Sequence, residues 1–531
     1  MEGIDVIPRP AILARKDASF TIQAGSRAWH DPLFEQQARE LVVLLAKAST
    51  FELPVKPFIG MPLPASGIIF HVEPDIKPEG YRLDVSSERV LIAASDQAGA
   101  FHAVQTIKQL LGPAIDAPAS SGRADAWHIP CLSIDDRPRF PWRGFMLDVA
   151  RHFFEKEIIK QILDVMALLK MNVFHWHLTD DQGWRIEIKR YPRLVEIGSK
   201  RGDSQVGGYV SLKRTGIPHE GYYTQDDARE IVAYARERFI TVVPEIEFPG
   251  HCTAAIAAYP ELHCKGKHLA VPATFVTRKG VVCAGKERVY EFIADILDEV
   301  LDIFPSKVIH VGGDETSTGT WKHCPDCKAL MQREGLHSIH GVQPYFTSRV
   351  GKLLSDRGRT LMGWNEVLSS NLPADAIVQF WTGRTRAILP HLTKGRKFVM
   401  SPFFTVYLDH DHVLLPLDMV YNFDPVPKNV SIEQQGNVLG IEAPLWTEWV
   451  RTTRRLHWQL FPRLLAVAEA AWTPPNAKDY PSFKERLARF IPWLQERGIN
   501  PASLDKVERC KLRKPLSFLH LFFEPRIPET R

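Results

Sequence analysis

"VIHVGGDETSTG" (308–319) sets two carboxylates side by side directly after two glycines. Val308 to Val311 favour strand, and an apolar run of this kind predicts a strand buried on both faces, with Gly312 and Gly313 marking its end. Asp314 and Glu315 could then serve only as the cap of a following helix. The rest of the chain argues against so plain a role. From Pro141 onward the same pattern of strand, loop and helix recurs. Candidate strands are 143–150, 172–178, 240–247 and 307–313, then 360–366, 376–381, 397–402 and 438–446. Helical periodicity lies between most of them, as in "EIIKQILDVMALLK" and "RVYEFIADILDEVLDIF". Eight apolar strands alternating with helices over roughly 350 residues predict a (β/α)8 TIM barrel, and a doubly wound sheet has no need of eight.

In such a barrel the chemistry sits where strands end. Those positions hold Asp148, Arg151, His177, Asp180, Asp181, Glu245, Glu247, His251, Asp314 and Glu315. They continue with Trp364, Glu366, Trp381, Tyr407, Asp409, Trp446 and Glu448. Helix capping at one strand end does not explain why its counterparts look alike. Tryptophans and acids converging on one mouth suit glycoside chemistry: flat rings hold a sugar face, polar groups fix its hydroxyls, and a carboxylic acid protonates the leaving oxygen.

Outside the barrel, the chain up to about residue 135 reads as short alternating strands ("SGIIFHVE", "GYRLDVSSERVLIAAS") and one amphipathic helix, "QAGAFHAVQTIKQLL". This predicts a small α+β domain with an antiparallel sheet. The expected boundaries are 1–136 for that domain, 137–500 for the catalytic barrel and 501–531 for a C-terminal extension, packed on the barrel or mobile. A formal net charge of +4 over 531 residues, with no dense Lys/Arg run, excludes a nucleic-acid track as partner. No apolar stretch is long enough for a membrane span. "MEGIDVIPRPAILARKD" carries no hydrophobic signal region, so the expectation lies between a cytosolic protein and an exported one whose leader is gone, with export favoured. Nothing in the sequence reads out an oligomeric state.

Taken together, "DVARHFF", "FHWHLTDDQGWR", "EIEFPGH", "HVGGDE", "GWNE", "VQFW", "VYLD" and "APLWTE" resemble, in order along roughly 137–475, the motif series of the family 20 glycoside hydrolases, the β-N-acetylhexosaminidases. The N-terminal segment is similar to the α+β domain that precedes the barrel in that family. The resemblance implies a retaining reaction in which the substrate's own 2-acetamido oxygen attacks the anomeric carbon to give an oxazolinium ion. It implies Glu315 as general acid and then base, Asp314 as the group that orients and stabilises the acetamido nitrogen, and Tyr407 as donor to the acetamido oxygen. Trp364, Trp381 and Trp446 would wall the sugar. Arg151, Asp409 and Glu448 would bind ring hydroxyls, and Asp180 with His251 would form a network near Glu315. The implied partner is an oligosaccharide or glycoconjugate ending in an N-acetylhexosamine, with no cofactor and no metal. A lacto-N-biosidase of the same family is the alternative within it, and a sugar-binding barrel without activity is the alternative outside it. Such a barrel usually loses the acid, and this chain keeps both Asp314 and Glu315.

Two further signals are metal-like. "HWH" puts His175 and His177 on one face of a strand, as in metal-dependent amidohydrolases, but those use the first strand and need later His and Asp ligands. A structural role is preferred here. "HCPDC" has the spacing of a zinc knuckle without a second pair. The chain has seven cysteines; Cys264 and Cys283 bracket a loop after the third barrel strand, with a spacing that resembles a disulfide in some exported members of the family.

Overall fold

The computed structural model describes residues 4–59, 62–116, 122–275 and 280–508. The chain forms two compact units. One holds the chain up to Pro141 together with Asp164–Met171 and Leu465–Pro501. The other holds Trp142–Leu163, Asn172–Leu464 and the described residues from Ala502. Of the expected C-terminal extension, Leu504–Val507 is a short helix, and residues 509–531 lie outside the described residues.

In the first unit seven strands form one sheet: β1 (Ile12–Gln23), β2 (Ala28–His30), β3 (Val55–Pro57), β4 (Gly67–Val72), β5 (Tyr81–Val85), β6 (Arg89–Ala94) and β7 (Ala126–Asp136). The spatial order is β1-β7-β5-β6-β4-β2-β3. β5 and β6 pair antiparallel, as the sequence predicts for this domain, and so do β5–β7 and β1–β7. β2 pairs parallel with both β3 and β4, and β4 parallel with β6, so the sheet is mixed. The helix Gln97–Leu111 coincides with its predicted span; Asp96 caps it by accepting from Gly99 N–H.

In the second unit eight parallel strands close a barrel: β8 (Trp142–Asp148), β9 (Val173–His177), β10 (Thr241–Glu245), β11 (Val308–His310), β12 (Thr360–Trp364), β13 (Ile377–Phe380), β14 (Lys397–Met400) and β15 (Val438–Leu445). All eight lie within the predicted runs or start one residue earlier. Each is buried along nearly its whole length, which is why each reads as a continuous apolar run.

Alternate residues of each strand point inward and stack in layers. The lowest layer is apolar: Trp142, Val173, Val243, Met362, Ile377 and Val399. Above it the interior turns polar. His177, Glu245 and His310 are register partners on β9, β10 and β11. Glu245 pairs with His177 and accepts from the indole of Trp364 (2.9 Å), and its carboxylate oxygens lie 3.0 Å from His175 Nε2 and 2.6 Å from His310 Nδ1. Glu442 accepts from His175, Trp142 and Gln379. The "HWH" imidazoles therefore serve a buried ion-pair layer under the mouth of the barrel.

That layer carries a sign with pH. Burial opposes the charge on His175 and His177, but Glu442 and Glu245 outweigh it and raise the two imidazoles from 6.5 to about 9 and about 10. Groups raised on folding contribute stability that is complete below 6.5 and lost as pH climbs through 9 to 10. Glu245→Gln is expected to cost about 3–5 kcal/mol near neutral pH, because it strands buried imidazolium charge. The variant should also lose less stability than wild type between 6.5 and about 10. Denaturant unfolding across that range checks it; parallel curves would reject the assignment.

Candidate active site

The strand β11 ends at His310, and the chain then turns through Gly312 and Gly313, at φ 66° and 95°. A Cβ on Gly312 would lie 1.7 Å from a carboxylate oxygen of Glu247, so only glycine lets the turn pass over that side chain. Glu315 itself sits at φ 44° and His251 at φ 52°, in the left-handed region that non-glycine residues avoid. Strained residues held by their surroundings cluster at functional sites, and these two face each other.

His251 is the hinge of the constellation. Its Nδ1 lies 3.1 Å from Asp180 Oδ1, and its Nε2 lies 3.7 Å from Asp314 Oδ2 and 3.9 Å from Glu315 Oε2. Burial disfavours its charge, yet Asp180 and Asp314 carry it well above the ordinary imidazole range. Asp180 in turn takes Arg151 Nη2 at 2.8 Å and His177 Nε2 at 3.1 Å. Burial would raise Asp180, but the cations of Arg151 and His251 hold it far below the usual carboxylate range. Asp180 is thus a permanent anion that fixes two cations against the mouth.

Arg151 is held at its other atoms too: Nη1 is 3.3 Å from Asp148 Oδ2, and Nε donates to Gln182 at 3.1 Å. Three of its five donors are spent in this way, and its guanidinium lies 4.8 Å over the Trp446 ring. Trp446 connects onward to Trp364 (5.8 Å between centroids) and to Tyr407 (6.4 Å), and Tyr407 stacks with Trp381 at 6.5 Å. These four aromatics form one continuous wall. Trp364 is buried, its indole tied down to Glu245, while Trp381 and Trp446 keep partial exposure.

The other polar groups of the site are acidic. Asp409 accepts weakly from Trp446 N–H at 3.5 Å, and Glu448 from the Tyr209 hydroxyl at 3.3 Å. Burial, with Glu448 beside it, pushes Asp409 up to about 8. Burial, with Asp314 beside it, pushes Glu366 up to about 7, against the Trp381 indole that donates to both its oxygens. Asp314 is raised by burial, opposed by His251, and raised again by Glu245, Glu315 and Asp180, to about 6. Among the described residues its Oδ1 has no hydrogen-bond partner although it is buried. The Glu315 side chain is more open, 42 % exposed at the rim.

Of the seventeen strand-end residues, the eleven to which the resemblance gives a part are thus brought together at one mouth: Glu315, Asp314, His251, Asp180 and Arg151 in one ion-pair network, Trp446, Trp364, Tyr407 and Trp381 as the wall, and Asp409 and Glu448 as further acids beside it. Sequence reading missed Tyr209, which reaches Glu448 from a loop between helical segments and meets Trp449 edge-to-face, ring centroids 5.1 Å apart. It noticed Glu366 without giving it a part; the Trp381 indole bond supplies one. The expected Cys264–Cys283 disulfide does not form. Both thiols are free, as are Cys131, Cys252, Cys324 and Cys327, because the fold brings the expected pair onto Cys324 and Cys327 rather than onto each other alone. Cys510 lies outside the described residues. No helix among the described residues is long and apolar enough to cross a membrane.

Comparison with known proteins places this geometry in a family. Residues 140–475 match the glycosyl hydrolase family 20 catalytic domain, and residues 3–137 match domain 2 of the same family. A β-hexosaminidase of Porphyromonas gingivalis is 38% identical over 94% of this chain, which spans 64% of that relative's length. One from Akkermansia muciniphila is 33% identical over 78% of this chain and 83% of its own. Among solved structures, the family 20 exo-β-N-acetylglucosaminidase of Vibrio harveyi, in complex with N-acetylglucosamine, superposes with a TM-score of 0.82 at 32% identity, covering 94% of this chain and 78% of that one. With both domains matched and the barrel closed as in those neighbours, the chain belongs to glycosyl hydrolase family 20.

Proposed function

We propose that this chain is an exo-acting β-N-acetylhexosaminidase that releases terminal N-acetylglucosamine or N-acetylgalactosamine with net retention. One observation carries the reading: a buried Asp314 oxygen without a partner among the described residues, beside Glu315 and next to an aromatic wall. A buried acceptor left unmade is costly, and the N–H of a 2-acetamido group satisfies it. The acetamido carbonyl oxygen then attacks the anomeric carbon as Glu315 passes its proton to the glycosidic oxygen, and the aglycone leaves. Asp314 holds the nitrogen and balances the positive charge of the oxazolinium ion. Glu315, now a carboxylate, takes a proton from the water that attacks the same carbon, and the acetamide is restored. Tyr407 donates to the acetamido oxygen, Trp364, Trp381 and Trp446 enclose the sugar, and Arg151, Asp409 and Glu448 address its hydroxyls.

The Vibrio harveyi neighbour, whose complex holds N-acetylglucosamine, supports this substrate class. A panel of nitrophenyl glycosides tests it. Turnover is expected of the N-acetylglucosaminide and the N-acetylgalactosaminide, and none of the glucoside or the lacto-N-bioside. Release of intact lacto-N-biose would instead select a lacto-N-biosidase. Binding of N-acetylglucosamine without turnover of any member would select a sugar-binding barrel.

A further inference from the structure

Four cysteines from two separate loops meet at one point beside the barrel mouth. Cys264 and Cys283 come from the loop that follows β10, the loop that also carries His251. Cys324 and Cys327 come from the loop after β11 that carries Asp314 and Glu315. The sulfurs of Cys283 and Cys324 are 3.6 Å apart, those of Cys283 and Cys327 3.7 Å, and those of Cys264 and Cys327 3.9 Å. All four lie within 4.8 Å of one another. A tetrahedron with zinc–sulfur bonds of about 2.3 Å has sulfur–sulfur edges of about 3.8 Å. Cys283, Cys324 and Cys327 are at most 3% exposed, and Cys264 closes the cluster from the solvent side.

From this geometry we infer that Cys264, Cys283, Cys324 and Cys327 bind one structural zinc ion. Four thiolates in a closed set leave no open position for chemistry, and a soft tetrahedral sulfur set favours zinc. The surrounding backbone is built to hold the four sulfurs together. Cys283 N–H donates to Leu262 O at 2.7 Å, and Val282 bridges to His263, so the first two cysteines leave a common ladder. Cys324 and Cys327 flank the first turn of the helix Pro325–Arg333. A Cβ on Gly285 would fall 2.5 Å from Cys327 N, so the two loops touch at a spacing that glycine alone permits. Lys286 is pinned to the carbonyls of Glu261 and His263, which brings a cation to a site whose four thiolates outweigh a divalent ion.

The second pair that "HCPDC" lacks in the sequence is thus supplied from the preceding loop, and the inference departs on this point from the expectation of no metal. The ion would staple the His251 loop to the Glu315 loop. The link runs through backbone: Cys252 N–H donates to Gly280 O, Val282 N–H to Pro249 O, and the buried Trp321 indole to Val282 O. The inference is independent of the hydrolase reading, since its readouts need no substrate.

The full chain, produced in zinc-supplemented cells and purified without chelators, should carry one zinc per chain by elemental analysis. Titration with an organomercurial should release that zinc as four thiols react, and removal of the metal with a strong chelator should lower Tm by about 5 °C or more, reversed by adding zinc. Cys283→Ser and Cys327→Ser should lose the metal, and Cys131→Ala should keep it. If the serine variants do not fold, cobalt exchange into the wild-type chain decides the matter, since a tetrathiolate cobalt site absorbs intensely in the visible. Peptide mapping that finds the four cysteines in disulfides overturns the inference. So does a reduced chain that neither contains zinc nor takes up zinc or cobalt, or one that carries iron instead.

Discussion

Glu315→Gln is expected to slow hydrolysis of N-acetylhexosaminides with poor leaving groups by about 10²–10⁴-fold, the range for loss of a general acid–base residue. Glutamine keeps the length and the hydrogen bonding of the side chain but has no proton to give. A nitrophenolate departs with little help, so on nitrophenyl substrates the first step should suffer far less. An alkyl or sugar aglycone should show the full loss. The backbone should tolerate the change, because the Glu315 side chain stands at the rim, 42 % exposed, and its left-handed φ belongs to the turn rather than to the carboxylate. Matched melting curves for the two proteins check that point. Equal losses on good and poor leaving groups would remove Glu315 from the role of acid.

Asp314→Asn is expected to cost on the order of 10²–10³-fold in kcat, since the charge that steadies the oxazolinium nitrogen is lost while the size is kept. Wild type should bind a thiazoline mimic of the intermediate far more tightly than N-acetylglucosamine, and the variant should forfeit most of that advantage. The geometry adds a pH signature. With burial and its carboxylate neighbours outweighing His251, Asp314 titrates near 6, so its working anion disappears as pH falls through that value. The acid limb of wild-type kcat/KM should have its midpoint near 6, and the residual activity of Asp314→Asn should lack that limb. A glycosyl ester trapped on Asp314, or a glucoside turned over at a rate comparable to the N-acetylglucosaminide, would make a protein carboxylate the nucleophile instead.

What could be seen in the sequence followed from burial. Barrel strands covered on both faces must be apolar throughout, so "RGFMLDVA" or "AIVQFW" announces itself, and the residues at their ends mark the mouth. β1 escaped notice because most of its twelve residues are exposed and its register shifts between Arg15 and Ser19, which breaks the alternation that reveals an edge strand. The parallel pairings of β2, β3 and β4 have no periodic signature that separates them from antiparallel ones. Strand ends also overstate the site: Glu245 and His177 sit among the candidates, yet the fold uses them to build the layer beneath. Tyr209 lies at no strand end, and its partnership with Glu448 spans 239 positions, so nothing local could reveal it. Both cysteine pairs stood out in the sequence, but their meeting was hidden for the same reason, two in one loop and two in the next.

The bond between Trp364 and Glu245 bears on how such a barrel can be altered. Glu245 holds three imidazoles as well as this indole, so the aromatic wall and the strand interior form one locked piece. A designer who widens the floor by trimming Trp364 also exposes a charge shared by three strands, and the barrel as a whole suffers. Tyr209 with Glu448, and Trp381 with Glu366, meet instead through side-chain bonds between loops. Diversification has a freer hand at Tyr209, 37% exposed, and libraries aimed at a new aglycone should be built on its loop while the floor, Trp381 and Glu448 are left as they stand.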